Sequence, residues 1–377
     1  MKKNMNKTTR SNFITYGIVI VLFAVVQILS STGNLSRLLT GLLVPLCVYT
    51  IAAISLNLVV GFSGELSLGH AGFMCVGAYS SALFSHLAAD ALPPVPRFIL
   101  AILIGAAVAG VFGILIGIPV LRLRGDYLAI VTLAFGEIIK NLINILYVGA
   151  DKNGIHAATT SSGLELAAGG LAIGGAARLD VEVPDAGAGG KKIMKGALGI
   201  SGTATLYKEI KPYFFLIGVL LVLLTLFIVQ NLVHSRSGRA VMSTRDNRIA
   251  AESVGINVTK YKLLAFTVSA ALAGVAGVLY AHNISMLKVS VFDYNMSILI
   301  LVYVVLGGIG NLRGSMIAAI ILYALPELLR GFANYRMLIY AIVLIVMMLF
   351  NWAPAARIWR SRIAEKIRGG KTKKEAA

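Results

Sequence analysis

The sequence predicts an all-α polytopic membrane protein with about ten transmembrane helices. Of 377 residues, 58% are hydrophobic and only 13% are charged, whereas soluble domains contain about 25% charged residues. The chain also contains about ten apolar stretches of the length, about 20 residues, that a helix needs to cross a bilayer. The formal net charge of +18 is concentrated in the tails and in short polar segments, which is typical of membrane proteins. These observations exclude a soluble globular domain and argue against nucleic-acid binding.

The predicted crossings form two blocks, 13–148 and 212–352, with five segments in each. The segments are 13–30, 38–60, 66–85, 98–121, 127–148, 212–233, 261–282, 295–312, 315–329 and 336–352. Segment 66–85 is rich in Gly and Ser, and 315–329 is short. Each of these two is therefore expected to be either a full crossing or a broken or re-entrant segment.

The distribution of Lys and Arg predicts that both termini lie in the cytoplasm. With ten crossings, the segments on the side of the termini hold 21 Lys and Arg residues, and the short loops on the opposite side hold five. The basic tails 1–12 and 353–377 are thus predicted to be cytoplasmic, the second near anionic lipid. The first apolar run lacks a convincing cleavage site, so it is predicted to be a membrane span and not a signal peptide.

Residues 149–211 form the only sizeable polar region and are predicted to be a large extracytoplasmic loop. Leu179–Lys192 (LDVEVPDAGAGGKK) is typical of strand and turn. Leu164–Ala177 (LELAAGGLAIGGAA) is apolar, but it is too short and too rich in glycine for a crossing. We expect this loop to be a cap packed on the helical bundle.

The segment between the sixth and seventh crossings, 234–260, contains the most informative polar sequence. Ser243 and Asp246 resemble the start of a capping box, and Gly255 is a typical helix stop. The pattern predicts one helix over Arg245–Val254 that lies across the inner face. Such a helix, with small residues flanked by charges, suits docking into a groove on a soluble partner; the alternative is an interfacial helix that only joins two spans.

Glycine and polar residues interrupt two apolar runs within Gly61–Gly77. Irregular backbone at membrane depth is tolerated where protein or a water-filled cavity satisfies its polar groups. The sequence therefore allows a discontinuous element that lines a translocation path, or close helix packing near the inner surface. The candidate path residues are Gly64, Ser67, Gly69, His70 and Gly72.

Several chemical functions find no support in the sequence. The histidines are scattered without metal-ligand spacing, and no catalytic set stands out. A phosphate-binding loop at Gly370-Lys371-Thr372 would need a glycine where Glu365 stands. We therefore expect no metal, no cofactor, no enzymatic activity and no ATP binding by this chain, so that energy must come from another polypeptide. Cys47 and Cys75 both lie in apolar runs, and no disulfide is expected.

Four separated blocks resemble the permease subunits of bacterial branched-chain amino acid ABC transporters of the LivM type. They are GFSGELSLGHAGFMCVGAYSSA (Gly61–Ala82), LRGDYLAIVTLAFGEIIKNL (Leu123–Leu142), GRAVMSTRDNRIAAESVGINVTKYKLLAFTVSAALAGVAGVLYA (Gly238–Ala281) and GGIGNLRGSMIAA (Gly307–Ala319). Together they span most of the chain outside 149–211. The resemblance implies a bacterial cytoplasmic (inner) membrane protein, in complex with a second, LivH-like permease, two ATPase subunits and an extracytoplasmic binding protein.

The resemblance also implies that 238–257 contains the coupling helix that contacts the ATPase. Ala250-Ala251-x-x-x-Gly255 is similar to the Glu-Ala-Ala-x-x-x-Gly motif of other ABC importers, although Ile249 stands where Glu would be. The expected coupling residues are Arg239, Arg245, Asn247, Arg248, Ala250, Ala251, Glu252 and Gly255.

Glu137 and Lys140 are two charged residues within the fifth predicted crossing. A charge at the centre of a membrane helix costs about 2.5–3.5 kcal/mol, so such residues usually face protein or a cavity. Their spacing of three lets them pair on one helix face. Either they contact the charged groups of the transported amino acid, or they form a structural pair that braces two helices.

The sequence allows more than one substrate and more than one mode of transport. Gly149–Gly154 (GADKNG) only half matches the Thr-Gly-Gly-x-Asn-Gly stretch of relatives, on the side expected to receive the binding protein. Related permeases of the family transport urea or amides, so these are alternative substrates. A stand-alone secondary transporter is a further alternative, against which the coupling-type segment argues.

Overall fold

The computed structural model describes residues 15–17, 19–27, 37–89, 91–123, 125–151, 154–158, 191–195, 200–201, 204–332 and 335–352. The predicted basic tails, the apolar stretch Leu164–Ala177 and nearly all of Leu179–Lys192 lie outside these residues.

Helices dominate the described part of the chain. In chain order they are α1 (Thr15–Gln27), α2 (Arg37–Asn57), α3 (His70–Leu87), α4 (Pro94–Val120), α5 (Asp126–Asn144), α6 (Ala204–His234), α7 (Arg236–Asp246), α8 (Arg248–Ser253), α9 (Val258–Asn283), α10 (Tyr294–Gly307), α11 (Leu312–Leu328) and α12 (Arg336–Trp352). A π-helical turn, Leu58–Ser63, continues α2, and a 3₁₀ turn, Leu329–Phe332, follows α11.

A helix occupies each of the ten segments predicted to cross the membrane. Within the described residues, five helical stretches are long and apolar enough to span a bilayer; these are Leu39–Ser63, Pro94–Val120, Tyr213–His234, Val258–Asn283 and Leu312–Gly331. The suspected break in segment 66–85 precedes the helix, because residues 64–69 are non-helical and α3 then runs unbroken from His70 to Leu87. The architecture is that of a polytopic helical membrane protein.

Short strands occur in and next to the 149–211 region. Strands β1 (Tyr147–Asp151), β2 (Gly154–Ala158) and β3 (Lys191–Lys195) form an antiparallel sheet in the order β2-β1-β3. Strand β4 (Ile200–Ser201) pairs with β5 (Met286–Leu287), which follows α9. Tyr79 of α3 donates a hydrogen bond to the Leu287 carbonyl at 3.0 Å. The region is therefore attached to the helical bundle through this strand pair.

Close backbone contact holds the centre of the bundle, where α9 packs against α2, α3 and α4. A Cβ atom added at Gly77 of α3 would lie 2.4 Å from the Gly274 Cα of α9, and one added at Gly277 would lie 2.0 Å from the Met74 carbonyl oxygen. Glycines at these crossings let backbones approach, which is how helices gain packing contacts in lipid. Several large apolar residues of α4, among them Leu103 and Leu115, face outward, whereas Phe98 and Ile116 are buried.

Candidate coupling and translocation site

The resembling blocks Gly61–Ala82, Gly238–Ala281 and Gly307–Ala319 meet at one end of the bundle. We call this meeting point the junction and define it by Asn57, Gly61–Gly69, Arg245, Lys262 and Gly307–Ser315. At the junction α2 widens into its π-helical turn, and Gly64 ends the turn with a φ of 75°. The chain then runs without helix to His70, where α3 begins.

Arg245, near the end of α7, reaches across the junction to the end of α2. Its Nη1 donates to the Gly61 carbonyl oxygen at 2.6 Å. Its Nε and Nη2 donate to Asp246 Oδ1 at 3.2 and 3.0 Å. A Cβ added at Gly64 would lie 2.4 Å from Arg245 Cγ, so the aliphatic part of the arginine rests on that glycine.

Lys262 provides a second link, from the first turns of α9 to the non-helical stretch after Gly64. Its ammonium forms an ion pair with Glu65, and the two side chains are only 12% and 13% exposed. A buried ion pair is expensive to leave unpaired. This pair therefore fixes the stretch after α2 against α9.

Asn57 joins the end of α2 to the turn between α10 and α11. Its fully buried side chain donates from Nδ2 to Ser315 Oγ at 2.8 Å. Its Oδ1 accepts from the Gly310 N–H at 2.9 Å. Gly308 and Gly310 both have positive φ angles, 98° and 80°, so the tight turn depends on glycine at these two positions.

The fourth resembling block, Leu123–Leu142, contacts the start of α3. The Leu68 N–H donates to Thr132 Oγ1 at 3.0 Å. A Cβ added at Gly69 would lie 2.3 Å from the Thr132 carbonyl oxygen, and one added at Gly72 would lie 2.7 Å from Gly136 Cα. All four blocks therefore converge in space, although their separations along the sequence are large.

The predicted path residues near the start of α3 are mostly engaged in packing. Ser67, His70 and Gly72 are buried, and His70 Nε2 lies 2.7 Å from Ser55 Oγ. Gly69 and Gly72 permit the close approach of α3 to α5, while Gly64 supports Arg245. These residues therefore make packing contacts, and their role in lining a path stays a prediction.

The coupling-type segment differs in its start from the predicted single helix. Instead of running from Arg245 to Val254, the helix is interrupted at Asn247, which is extended (φ −153°, ψ 108°) and separates α7 from α8. Asn247 Oδ1 accepts from the Ala250 N–H at 3.1 Å, because asparagine satisfies the free N–H groups at a helix start. Ser243 lies inside α7 and does not cap the predicted helix.

The predicted stop of this helix is confirmed. Gly255 has a φ of 82°, and its N–H donates to the Glu252 carbonyl at 3.0 Å. The Ile256 N–H donates to the Ala251 carbonyl, also at 3.0 Å. This is the left-handed glycine ending that helices commonly adopt.

Helix α8 and its C-terminal cap expose apolar side chains that were not among the predicted coupling residues. Ile249 and Val254 are 79% and 75% exposed, more than the other large hydrophobic residues of the described chain. Ala250 is also exposed, whereas the expected docking residue Ala251 is buried at 3%. Two large apolar residues in a polar segment were the signal that could have identified this surface.

The charged residues of the segment lie around this apolar surface. Arg248 and Glu252 form an ion pair at 2.8 Å across one turn of α8. Arg239 is exposed on α7, where its Nη1 donates to the His234 carbonyl at 3.1 Å. Arg245 is 40% exposed, and its Nη1 reaches into the junction.

Glu137 and Lys140 lie on α5, apart from the junction. They form the ion pair that their spacing predicts, and their side chains are 27% and 19% exposed. Asn141 and Asn144 continue this polar flank of α5 and are exposed or half-buried. The flank is thus a polar strip on a helix whose neighbouring surface is apolar, including Ile138 and Leu142.

Comparison with known proteins identifies the family. The family model described as "Branched-chain amino acid transport system / permease component" matches residues 38–350. The chain is 36% identical over 337 residues to the high-affinity branched-chain amino acid transport system permease protein LivM of Salmonella typhimurium, covering 88% of this chain and 72% of that protein. It is 35% identical over 333 residues to LivM of Escherichia coli, with the same coverage.

A more distant similarity concerns a permease with another solute. The fructose import permease protein FruG of Bifidobacterium longum is 26% identical over 151 residues, which cover 38% of this chain and 44% of that protein. No solved structure is significantly similar to the chain. The match to the family model and the two LivM proteins together establish that this chain belongs to the family of permease components of branched-chain amino acid transport systems.

Proposed function

We propose that this chain is the membrane-spanning permease subunit of an ATP-driven importer for branched-chain or related aliphatic amino acids. The observation that supports it most strongly is similarity to two LivM proteins over 88% of the chain. The four motif blocks also converge at the junction and in the α3–α5 contact, which gives a structural reason why these separated sequences occur together in one chain. Residues distant in sequence are kept together there by specific contacts.

We propose that α8 docks into a groove of an ATPase subunit. Ile249 and Val254 expose large apolar side chains on a segment whose other residues are mostly polar, and exposed apolar surface of this kind marks interaction sites. Arg248 and Glu252 would form the polar rim of this contact. Asn247 and Gly255 set the two ends of the helix, and Arg239 lies beside it on α7.

We propose that the polar flank of α5 faces the translocation path. Charged groups at membrane depth face a protein interior or a water-filled cavity, and Glu137 and Lys140 are only partly covered within this chain. A second permease subunit, LivH-like, would cover the flank and complete the path. The ion pair could then open toward the ammonium and carboxylate groups of an amino acid.

The proposed arrangement has ten crossings with both termini in the cytoplasm and the 149–211 region outside. The positive-inside distribution supports it, as does the contact between Gly61 and Arg245, since both were expected on the inner side. Two ATPase subunits and an extracytoplasmic binding protein would complete the importer in the bacterial inner membrane.

The decisive experiment is uptake by the whole complex reconstituted in vesicles, with and without ATP and the binding protein, and with leucine and urea as separate solutes. Leucine uptake that requires both ATP and binding protein is the expected result. Urea uptake without leucine uptake would move this chain to the amide-transporting permeases. Uptake by this chain alone, without the ATPase, would overturn the importer assignment.

A further inference from the structure

We propose that Arg245 is a positioning residue that transmits movement of the coupling helix α8 to the end of α2 through the Gly61 carbonyl. This inference rests on the proposed function, and it assigns Arg245 to a contact within the permease instead of a contact with the ATPase. The residue stands two positions before the break at Asn247, where α7 gives way to α8. Helices α7 and α8 pack against each other, so a displacement of α8 that carries α7 with it moves Arg245.

The guanidinium group is oriented for one acceptor. Two of its nitrogen atoms, Nε and Nη2, donate to the Asp246 carboxylate, at 3.2 and 3.0 Å. This fork leaves Nη1 directed at the Gly61 carbonyl, 2.6 Å away and 184 residues distant in sequence. Charge-assisted hydrogen bonds of this length are among the strong ones in proteins. The side chain is therefore a defined connection between α7 and α2.

The acceptor lies in an unusual part of α2. Gly61 belongs to the π-helical turn Leu58–Ser63, and π turns are rare and frequently found at functional sites. The last carbonyl groups of a helix have no partner within the helix, so the Gly61 oxygen is available to an external donor. Gly64, left-handed at the end of the turn, lets the arginine stem pass close to the backbone.

Gly61 also contacts other parts of the protein, to which a movement of Arg245 would be transmitted. A Cβ at Gly61 would lie 1.9 Å from Asn57 Oδ1 and 2.4 Å from the Gly310 nitrogen, so the backbone is wedged between α2 and the α10–α11 turn. The Asn57 amide in turn binds Ser315 of α11. A displacement of Gly61 would therefore act directly on Asn57 and on the α10–α11 turn, and through Asn57 on α11.

The ion pair of Lys262 and Glu65 strengthens this connection from the other side. Lys262 lies near the start of α9, which is the helix that follows the coupling segment, and Glu65 follows the π-helical turn. Arg245 and Lys262, which lie on the two sides of α8 in the sequence, are thus both bonded to the stretch Gly61–Glu65. A rigid shift of the segment would move that stretch as one piece.

The test is the number of solute molecules taken up per ATP hydrolysed by the reconstituted complex. Variants are compared after co-purification has shown that the subunits assemble. Arg245→Ala should keep ATP hydrolysis but lower uptake per ATP about tenfold, the effect of losing one charge-assisted hydrogen bond. Arg245→Lys should recover part of the ratio, because its ammonium can still donate to the carbonyl. Arg236→Ala removes an exposed cation from the same helix and should match the wild type.

The outcomes separate this inference from the proposed function. No ATP-dependent uptake by the wild-type complex would refute the proposed function itself. A working wild type with an unchanged ratio in Arg245→Ala would refute only the role of Arg245. If Arg245→Ala does not assemble, Asp246→Ala decides, since Asp246 is 68% exposed and its loss only frees the arginine fork. A ratio about threefold below wild type would then support the inference, and an unchanged ratio would overturn it.

Discussion

Gly64 has a left-handed backbone conformation, and the side chain of Arg245 packs directly against its Cα. Its φ is 75°, and a Cβ would lie 2.4 Å from Arg245 Cγ. Gly255 offers a matched comparison, because its φ is 82° but, among the described residues, no atom lies within 4 Å of an added Cβ. The two glycines therefore share the backbone requirement and differ in the steric one.

We predict that Gly64→Ala destabilises the protein more than Gly255→Ala does. Both alanines meet the left-handed penalty of about 1–2 kcal/mol, and overpacking at Gly64 adds about 1–3 kcal/mol. The melting temperature of each variant in detergent, relative to wild type, measures the difference. Equal shifts for the two variants would show that Arg245 moves aside without cost.

Single residues also show what sequence patterns can and cannot predict. The pairing of Glu137 with Lys140 was predictable because both lie on one helix at a spacing of three. The partner of Arg245 was not, since it is a backbone carbonyl 184 residues away. Every residue has a carbonyl group, so the sequence does not show which carbonyl accepts the hydrogen bond of Arg245.

Elements of the bundle differ in how closely their backbones approach one another. A Cβ at Gly277 of α9 would lie 2.0 Å from the Met74 carbonyl oxygen of α3, a contact with rigid backbone. Gly110 of α4 is the control, because the nearest atom to its added Cβ is the Ala271 Cβ at an ordinary 3.5 Å. Both glycines lie within long helices, where alanine is intrinsically favoured by about 1 kcal/mol.

We predict opposite signs for the two alanine substitutions. Gly110→Ala should leave thermal stability unchanged or raise it slightly, through the helix propensity of about 1 kcal/mol. Gly277→Ala should lower stability by several kcal/mol or prevent folding, because α3 and α9 must separate. Melting curves and the yield of monodisperse protein in detergent measure both. Tolerance of Gly277→Ala would mean that this helix crossing is looser than the structure has it.

Helix α8 is the element that we propose to dock on an ATPase subunit. We predict that Ile249→Asp lowers co-purification of the ATPase subunit about tenfold or more, since a charge would replace an apolar side chain at the centre of the proposed contact. Ser253→Asp adds the same charge to the same exposed helix and should have a smaller effect. The stability of the permease alone should not change in either variant. Undiminished ATPase binding by Ile249→Asp would place the contact elsewhere.

Helix boundaries were predictable where the stop signal is a glycine and not where the start depends on a cap. Gly255 ends α8 as expected. The break at Asn247 was missed because helical residues lie on both sides of it, and one asparagine decides between continuing a helix and capping a new one. Ser243 was a plausible cap in sequence, but its hydroxyl bonds back to Ala240 within α7.

At the scale of the molecule, a helix lies in each of the ten segments predicted to cross, but only five helices of the described residues are both long and apolar enough to span a membrane. The short helix α10 fails on length, having 14 residues. Helix α5 contains Asp126, Glu137 and Lys140. Helices shielded by neighbours or lining a path are not required to be uniformly apolar. Their assignment as crossings therefore needs a topological measurement.

We predict that the two ends of α9 lie on opposite sides of the membrane, with Lys260 in the cytoplasm and Met286 outside. The 26 residues of α9 are about 39 Å long at 1.5 Å per residue, which exceeds the hydrocarbon thickness of about 30 Å. Lys260 lies in the basic coupling segment, which the positive-inside rule keeps in the cytoplasm. Met286 pairs with Ser201 of β4, which lies within the 149–211 region.

Single cysteines at these two exposed positions test the orientation directly. Cys47 and Cys75 are both buried, and replacing them by alanine gives a cysteine-free background. A membrane-impermeant maleimide should label Met286→Cys and spare Lys260→Cys in right-side-out vesicles, and the pattern should invert in inside-out vesicles. Labelling of both positions from one side would mean that α9 does not cross. A reversed pattern would keep the crossing but move the coupling helix and the junction to the outer face, where no cytoplasmic ATPase could reach them.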